Sequence, residues 1–283
     1  MDFALNDRRR RASGSAARLV AAFGLRRFAA GYAGPLVRLR RASDNAESNF
    51  SAGADMWLDE AAVLAWCGGS SAYVRTLYGQ AGGLNLGQAT ASAQPRLVNA
   101  GVMDAMAGRP ALRFLGAQWL AASASSAGLG SVGLVCSGRV DADAANDCGY
   151  WGWSAGSNPR IFLSRLFTST VGTVGDTYFT GDFTVSSMAA QGPFANPESG
   201  PHMWECFMSA TAHAMRRDGV AVVERSAANG APHNGATDML LGRVSTTSAS
   251  YFEGWIGDVA VLGNGTDADV ATLGAALRPE WGL

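Results

Sequence analysis

The stretch YFEGWIGDVAVL, Tyr251–Leu262, decides the fold class. Rich in β-branched and aromatic residues, it reads as a strand. Thr266–Leu277 follows with the pattern of a short helix, capped by Thr266 or Asp267. Towards the N-terminus the same strand-like composition recurs in Tyr73–Tyr78, Arg96–Val98, Ala111–Phe114, Val132–Val140, Tyr150–Trp153, Arg160–Phe167, Met203–Met208 and Thr237–Val244. His213–Arg217 and Val220–Arg225 flank Asp218-Gly219, the strongest hairpin signal in the chain. Leu36–Arg41 alternates apolar and basic side chains, as a half-buried strand does. Asp59–Cys67 reads as a short helix with Asp59 as its cap and Gly68-Gly69 as its stop. Thirty-six glycines and short apolar runs fit an all-β body with many turns.

Charge divides the chain. It has no lysine, and all 22 basic residues are arginine. Ten lie in the first 41 residues against Asp2 and Asp7, a segment of about +8, whereas the remaining 12 face 21 acids, about −9. A concentrated arginine segment docks on something acidic. Residues 5–31 have helical spacing, with Leu5, Leu19, Val20, Phe23, Leu25 and Phe28 set among arginine and alanine. The expectation is therefore an Arg-rich helical arm over residues 1–35, with Arg8, Arg9, Arg10, Arg11 and Arg18 as its docking residues, and a β-sandwich over 36–283. Arg18, Arg26 and Arg27 interrupt the only apolar run that could serve export, and no run approaches the ~20 apolar residues of a membrane span. Synthesis and assembly in a cytoplasm are expected. Arg8–Arg11 lacks the interleaved aromatics of a single-strand binder, so a nucleic-acid partner is not expected.

Tyr150, Trp151 and Trp153 are the candidate carbohydrate-binding residues. On a strand Trp151 and Trp153 share a face, and aromatic faces stack on sugar rings; the same rings could equally fill a sandwich core. Asp141, Asp143 and Asp147, with Asn146, offer oxygen donors of the kind calcium takes, or form a solvated turn. No other cofactor is expected. Cys67, Cys136, Cys148 and Cys206 have no C-x-x-C spacing and read as free thiols. Gly128–Gly133 matches G-x-G-x-x-G, but a strand pattern follows it where dinucleotide binding needs a helix. His202, His213 and His233 have no acidic or Cys partner at ligand spacing.

Phe23–Glu47 (FGLRRFAAGYAGPLVRLRRASDNAE) resembles the opening of the α-L-arabinofuranosidase B catalytic domain. Leu77–Val98 (LYGQAGGLNLGQATASAQPRLV) is similar to that family's Tyr-Asp-Gln segment, and Gly108–Phe114 continues the resemblance. Tyr251–Leu262 with Thr266–Leu283 is similar to the closing strand and helix of laminin-G and pentraxin-like sandwiches. These resemblances imply a concanavalin A-like jelly roll of two packed antiparallel sheets with a short C-terminal helix. The same domain plan recurs in phage virion proteins, the group this chain resembles most.

A retaining glycosidase needs two carboxyl groups about 5 Å apart. In the family, an aromatic-rich strand follows vicinal cysteines and leads to the nucleophile; here Asn146–Trp153 holds one cysteine, and Pro159 or Arg160 stands at the glutamate position. The segment matching the acid/base, Leu241–Ser248, has no carboxylate, and Gly79 replaces the family's Asp. Arginine cannot serve as nucleophile or general base at neutral pH. Glu205 and Glu253 are the best replacement pair, and the glucanase E-x-D-x-E pattern is absent. The expectation is thus a non-enzymatic, structural phage virion protein, a head decoration, fibre or tail component. It would be homo-oligomeric, anchored to other virion proteins by its arm and able to bind a host-surface glycan. The alternative is an arabinofuranosidase-like glycoside hydrolase acting on surface polysaccharide, and a third reading is a secreted lectin.

Overall fold

The computed structural model describes residues 18–28, 31–141, 148–155, 158–165, 177–180, 200–225, 235–246 and 251–283. Arg8, Arg9, Arg10 and Arg11 lie outside these residues, as do Asp143 and Asp147.

The first half of the chain supplies β1 (Arg18–Phe23), β2 (Val37–Arg41), β3 (Glu47–Phe50), α1 (Glu60–Cys67), β4 (Ala72–Tyr78), β5 (Asn85–Gly87) and β6 (Arg96–Asn99). Three two-residue strands follow: β7 (Val102–Met103), β8 (Ala105–Met106) and β9 (Arg109–Pro110). Then come β10 (Leu112–Leu115), β11 (Leu120–Ser123), β12 (Ser131–Val140), β13 (Cys148–Ala155), β14 (Asn158–Arg165) and β15 (Thr177–Thr180). The last part holds β16 (His202–Ser209), β17 (His213–Arg217), β18 (Val220–Arg225), β19 (Asp238–Leu241), β20 (Glu253–Gly263) and α2 (Asp267–Leu277).

These strands form an antiparallel jelly-roll β-sandwich. One layer runs β18-β17-β16-β12-β20, and the free edge of β20 is shared by β10, along Glu253–Ile256, and β1, along Val259–Gly263. The other runs β15-β14-β13-β19-β11-β5-β4-β2-β3. β6, bonded to both β4 and β10, joins the layers. Side-chain alternation sends Leu134, Cys136, Trp204, Val259 and Val261 of the first layer into one core with Val74, Leu77, Leu120 and Leu241 of the second.

The alternate residues of the first layer, Val135, Met203, Phe207, Ala260 and Leu262, point outward and build a second core under α2, where they meet Val270, Leu273, Leu277 and Trp281. A capping box fixes the start of α2: Asp269 N–H donates to the Thr266 hydroxyl (3.2 Å), and Thr266 N–H donates to the Asp269 carboxylate (2.9 Å). α1 begins as its sequence requires, with Ala62 N–H donating to Asp59 Oδ1 at 3.0 Å, and stops at Gly68 in the left-handed region.

One element corrects the sequence reading. Arg18–Phe23 is not helical: it is strand β1, with Arg18 opposite Gly263 and Phe23 opposite Val259. Ala21 and Phe23 are buried in the main core. Helical spacing is a weak prior, and an open edge on β20 offers both backbone bonding and burial, so tertiary pairing wins. Arg18 thus opens a sandwich strand and does not belong to a detached helical arm.

The family-like segment Leu77–Val98 works structurally. Buried Gln80 accepts from Phe28 N–H (2.7 Å) and donates to the Arg26 carbonyl (2.6 Å), pinning residues 26–28. Gly128–Gly133 enters strand β12, and a Cβ at Gly133 would strike Val270 at 2.4 Å, so this glycine admits α2 and no nucleotide. Cys67, Cys136 and Cys206 are free and buried. Among the described residues no helix is long and apolar enough to cross a membrane.

Candidate carbohydrate site

The two segments that the family resemblance ties to chemistry become neighbours. β13 pairs with β19, with Trp151 opposite Leu241 and Trp153 opposite Met239, and Tyr251 bridges to both Gly149 and Arg243.

The aromatic trio, however, turns inward. Tyr150, Trp151 and Trp153 are each 0% exposed in the main core. A register shift between Gly149 and Trp151 lets consecutive residues 150 and 151 both face the core, which simple alternation forbids. Tyr150 packs on Phe252 at 4.4 Å, and Trp151 meets Trp153 edge-on at 6.1 Å. Trp153 Nε1 donates to the Ala124 carbonyl at 2.8 Å. No face of these rings is open to a sugar, so they are core and not the stacking platform expected of them.

The aromatic surface at this junction consists of other residues. Gly242, at φ +85°, turns the chain at the end of β19; a Cβ there would lie 2.4 Å from Phe114. Beyond that turn Arg243 is 4% exposed, its guanidinium 5.0 Å from the Trp119 ring and 4.9 Å from Tyr251. Trp119 and Tyr251 are both half-buried. Burial makes the Arg243 charge harder to hold and lowers its pKa, with Tyr251 opposing that shift. Trp119 lies in the loop between β10 and β11, where its N–H donates to the Ala93 carbonyl (3.0 Å) and its carbonyl accepts from Gln88 (3.4 Å). Three signature stretches, around 88–94, 149–153 and 241–244, therefore converge on Trp119, Arg243 and Tyr251. The sequence placed Arg243 in an acid/base segment, but no local signal marks Trp119.

The surviving carboxylates are held elsewhere. Glu205 faces Val135 on β12, which in turn faces Ala260 on β20. Glu253 lies seven residues from Ala260 along the same strand, so at about 3.3 Å per residue and about 4.8 Å per strand the two glutamate backbones stand roughly 25 Å apart, far from hydrolytic spacing. Glu205 is fully buried beneath α2 and paired with Arg278. Asp258 is likewise buried; it accepts from Arg26 (2.8 Å) and Trp281 Nε1 (3.0 Å). Burial raises the pKa of both acids, opposed at Glu205 mainly by Arg278 and at Asp258 mainly by Arg26. Asp141 is engaged by Arg113, so its carboxylate already has a partner; among the described residues no group of three His, Cys, Asp or Glu could hold a metal. His202 binds Asp218 at 2.7 Å, a partner that sequence spacing did not reveal, at the β17–β18 hairpin. His213 is buried, and desolvation lowers its pKa.

No protein-family model and no curated protein matches the chain. Solved structures do. A GH54 α-L-arabinofuranosidase soaked with a cyclic sulfate inhibitor superposes with a TM-score of 0.69 at 13% identity, over 92% of this chain and 62% of that one. An arabinofuranosidase complexed with arabinofuranosyl-α-1,2-xylobiose gives 0.66 at the same identity and coverage. A glutamate-to-glutamine mutant of a GH54 enzyme, soaked with 4-nitrophenyl α-L-arabinofuranoside, gives 0.67. The chain thus has the jelly roll of these glycosidases and spans 62% of their length. The expectation of a non-enzyme is corrected by this finding: these three solved structures, which share the fold over 92% of the chain, are enzymes, so vacant positions in a sequence match do not exclude hydrolysis.

Proposed function

We propose that this chain is a carbohydrate-engaging jelly roll of a phage particle, holding its glycan at the Trp119–Arg243–Tyr251 cluster. The observation that carries the reading is the pair of half-buried rings flanking a buried guanidinium at the meeting point of the family-like segments. Aromatic faces stack on the apolar faces of sugars, and the buried Arg243 guanidinium holds both rings in place by cation–π contact. The particle setting is supported by the run Arg8–Arg11, four arginines against Asp2 and Asp7 in the sequence that precedes β1. That arm docks on other virion subunits, the jelly roll assembles with copies of itself, and the outward ligand is a host-surface glycan.

Affinity electrophoresis through gels containing soluble polysaccharides tests the site. Trp119→Ala or Tyr251→Ala should each weaken retardation about tenfold, with far-ultraviolet circular dichroism unchanged. Equal retardation of wild type and both variants by every glycan would remove the cluster from the function. Gold-labelled antibody on intact particles tests the setting, and a chain lacking residues 1–17 should fold but fail to incorporate.

A second reading, hydrolysis of surface polysaccharide, is favoured by the fold shared with arabinofuranosidases over 92% of the chain. It predicts release of 4-nitrophenol from an arabinofuranoside, lost in Arg243→Ala if the cluster binds the sugar. Absence of release from any pentofuranoside or hexopyranoside would dismiss it.

A further inference from the structure

The outward face of the second layer carries a basic end distinct from the Trp119 cluster. Arg38 and Arg40 on β2 project away from the core, opposite Val37 and Leu39. On β4 a register shift occurs between the partners of Arg38 (Thr76) and Leu39 (Val74), leaving Arg75 as the extra residue; a bulge of this kind re-aims a side chain. Arg75 comes within 3.6 Å of Glu47, which also binds Arg38 at 2.8 Å. One carboxylate thus serves two arginines whose side chains are 46% and 34% exposed.

Arg40 is held by neutral oxygens: Nε donates to Gln94 Oε1 (2.8 Å), Nη1 to Asn45 Oδ1 (2.9 Å) and Nη2 to the Ala91 carbonyl (3.4 Å). Its guanidinium also lies 5.1 Å from the Tyr73 ring. Among the described residues Glu47 is therefore the one carboxylate paired with any of Arg38, Arg40 and Arg75, and it serves two of them. Contrast Arg96 with Asp104 and Arg41 with Asp44, each a one-to-one pair.

Between this end and Trp119 the face is low. Thr76 pairs with Gly87, and Gly87 with Ala121; a Cβ at Gly87 would meet only the Arg75 carbonyl, at 3.6 Å. A polymer lying flat can reach from the arginines to the aromatic cluster.

We infer that this face selects anionic polysaccharide, a uronate- or sulfate-bearing chain, with Arg38, Arg40 and Arg75 as the charge-reading residues. The inference rests on the carbohydrate reading of the Trp119 cluster and adds the charge class of the ligand. Planar guanidinium groups match carboxylate and sulfate oxygens, and those fixed by neutral partners lose little freedom on binding.

The test uses the full-length chain in affinity gels containing polygalacturonate, dextran sulfate or uncharged dextran. Wild type should be retarded by at least one polyanion and little by dextran, and retardation should fall between about 50 mM and about 500 mM salt. Arg38→Ala/Arg75→Ala should weaken polyanion binding at least tenfold; Arg38→Gln/Arg75→Gln repeats the test with stem length kept, and thermal melting verifies the fold of both. Comparable retardation by dextran, or an unchanged double variant, overturns the inference. So does tighter binding of a single-stranded DNA oligomer than of either acidic glycan. Failure of the underlying reading looks different: Trp119→Ala and Tyr251→Ala then leave all glycan binding intact. If those variants abolish binding of an uncharged glycan while the arginine variants change nothing, only the charge selection fails.

Discussion

The two layers share a core on their inner sides and have opposite outer sides. Outside the first layer, α2 seals Val135, Met203, Phe207 and Ala260 from water, and the acids beneath it are consumed in holding it: Glu205 by Arg278, Asp258 by Trp281 and Arg26. Outside the second layer, Arg38, Arg75, Trp119 and Tyr251 keep access to solvent. The difference teaches that carboxylates in a glycosidase-like fold are not interchangeable. Glu205 and Asp258 hold a helix in place, while on the open face Glu47 is shared by Arg38 and Arg75.

The contrast can be broken most severely at Trp281. It is buried against Trp57 at 5.5 Å and donates to Asp258, so Trp281→Ala should cost about 3–5 kcal/mol in denaturant unfolding. A loss below 1 kcal/mol would mean that the outer core contributes little. Next in size is Gly274→Ala. A glycine inside a helix ordinarily costs about 1 kcal/mol relative to alanine, yet here a Cβ would lie 2.3 Å from the Glu205 carboxyl carbon. The substitution should therefore destabilise by about 1–3 kcal/mol despite its better helix propensity; a stabilised protein would show that Glu205 yields freely.

A smaller effect separates the buried acids by pH. Burial raises the pKa of Glu205 and Asp258 above the unfolded value, so folding takes up protons. Their stabilising contribution is complete below the ordinary carboxylate range and is lost as pH rises through the raised values. Glu205→Gln should accordingly gain on wild type in unfolding free energy as pH goes from about 4.5 to about 7.5. Wild type gaining on Glu205→Gln over that interval would reverse the sign assigned to burial. Smallest is the effect on folding of Arg38→Ala/Arg75→Ala, exposed residues on a solvated face, expected within about 1 kcal/mol of wild type. A larger loss would make the open face structural.

Most of the sandwich was legible because its signals are local. Asp218-Gly219 places both hairpin residues at positive φ, 56° and 83°, and the flanking strands run over His213–Arg217 and Val220–Arg225 as the sequence indicates. Asp59 and Thr266 announce their helices by the bonds they make within three residues. What was not legible depends on distant partners. β1 resembles a helix until β20, 240 residues later, offers it an edge. The inward turn of Trp151 follows from one extra residue in the ladder, and Trp119 reaches its place through contacts with residues 88–93. Glu205 looks available until Arg278, 73 residues on, is brought to it.

Pairing of Arg18 with Gly263 at the end of β1 has a mechanical consequence. Tension drawn across the ladder, at right angles to β1, through the polypeptide preceding Arg18 would load that first rung, then the next, peeling β1 from its neighbour like a zipper. Hydrogen bonds stressed in sequence yield at far lower force than bonds sheared together. A domain tethered this way would surrender one strand to a sustained tug and expose the flank of β20, while the wall beneath α2, loaded from elsewhere, stays shut.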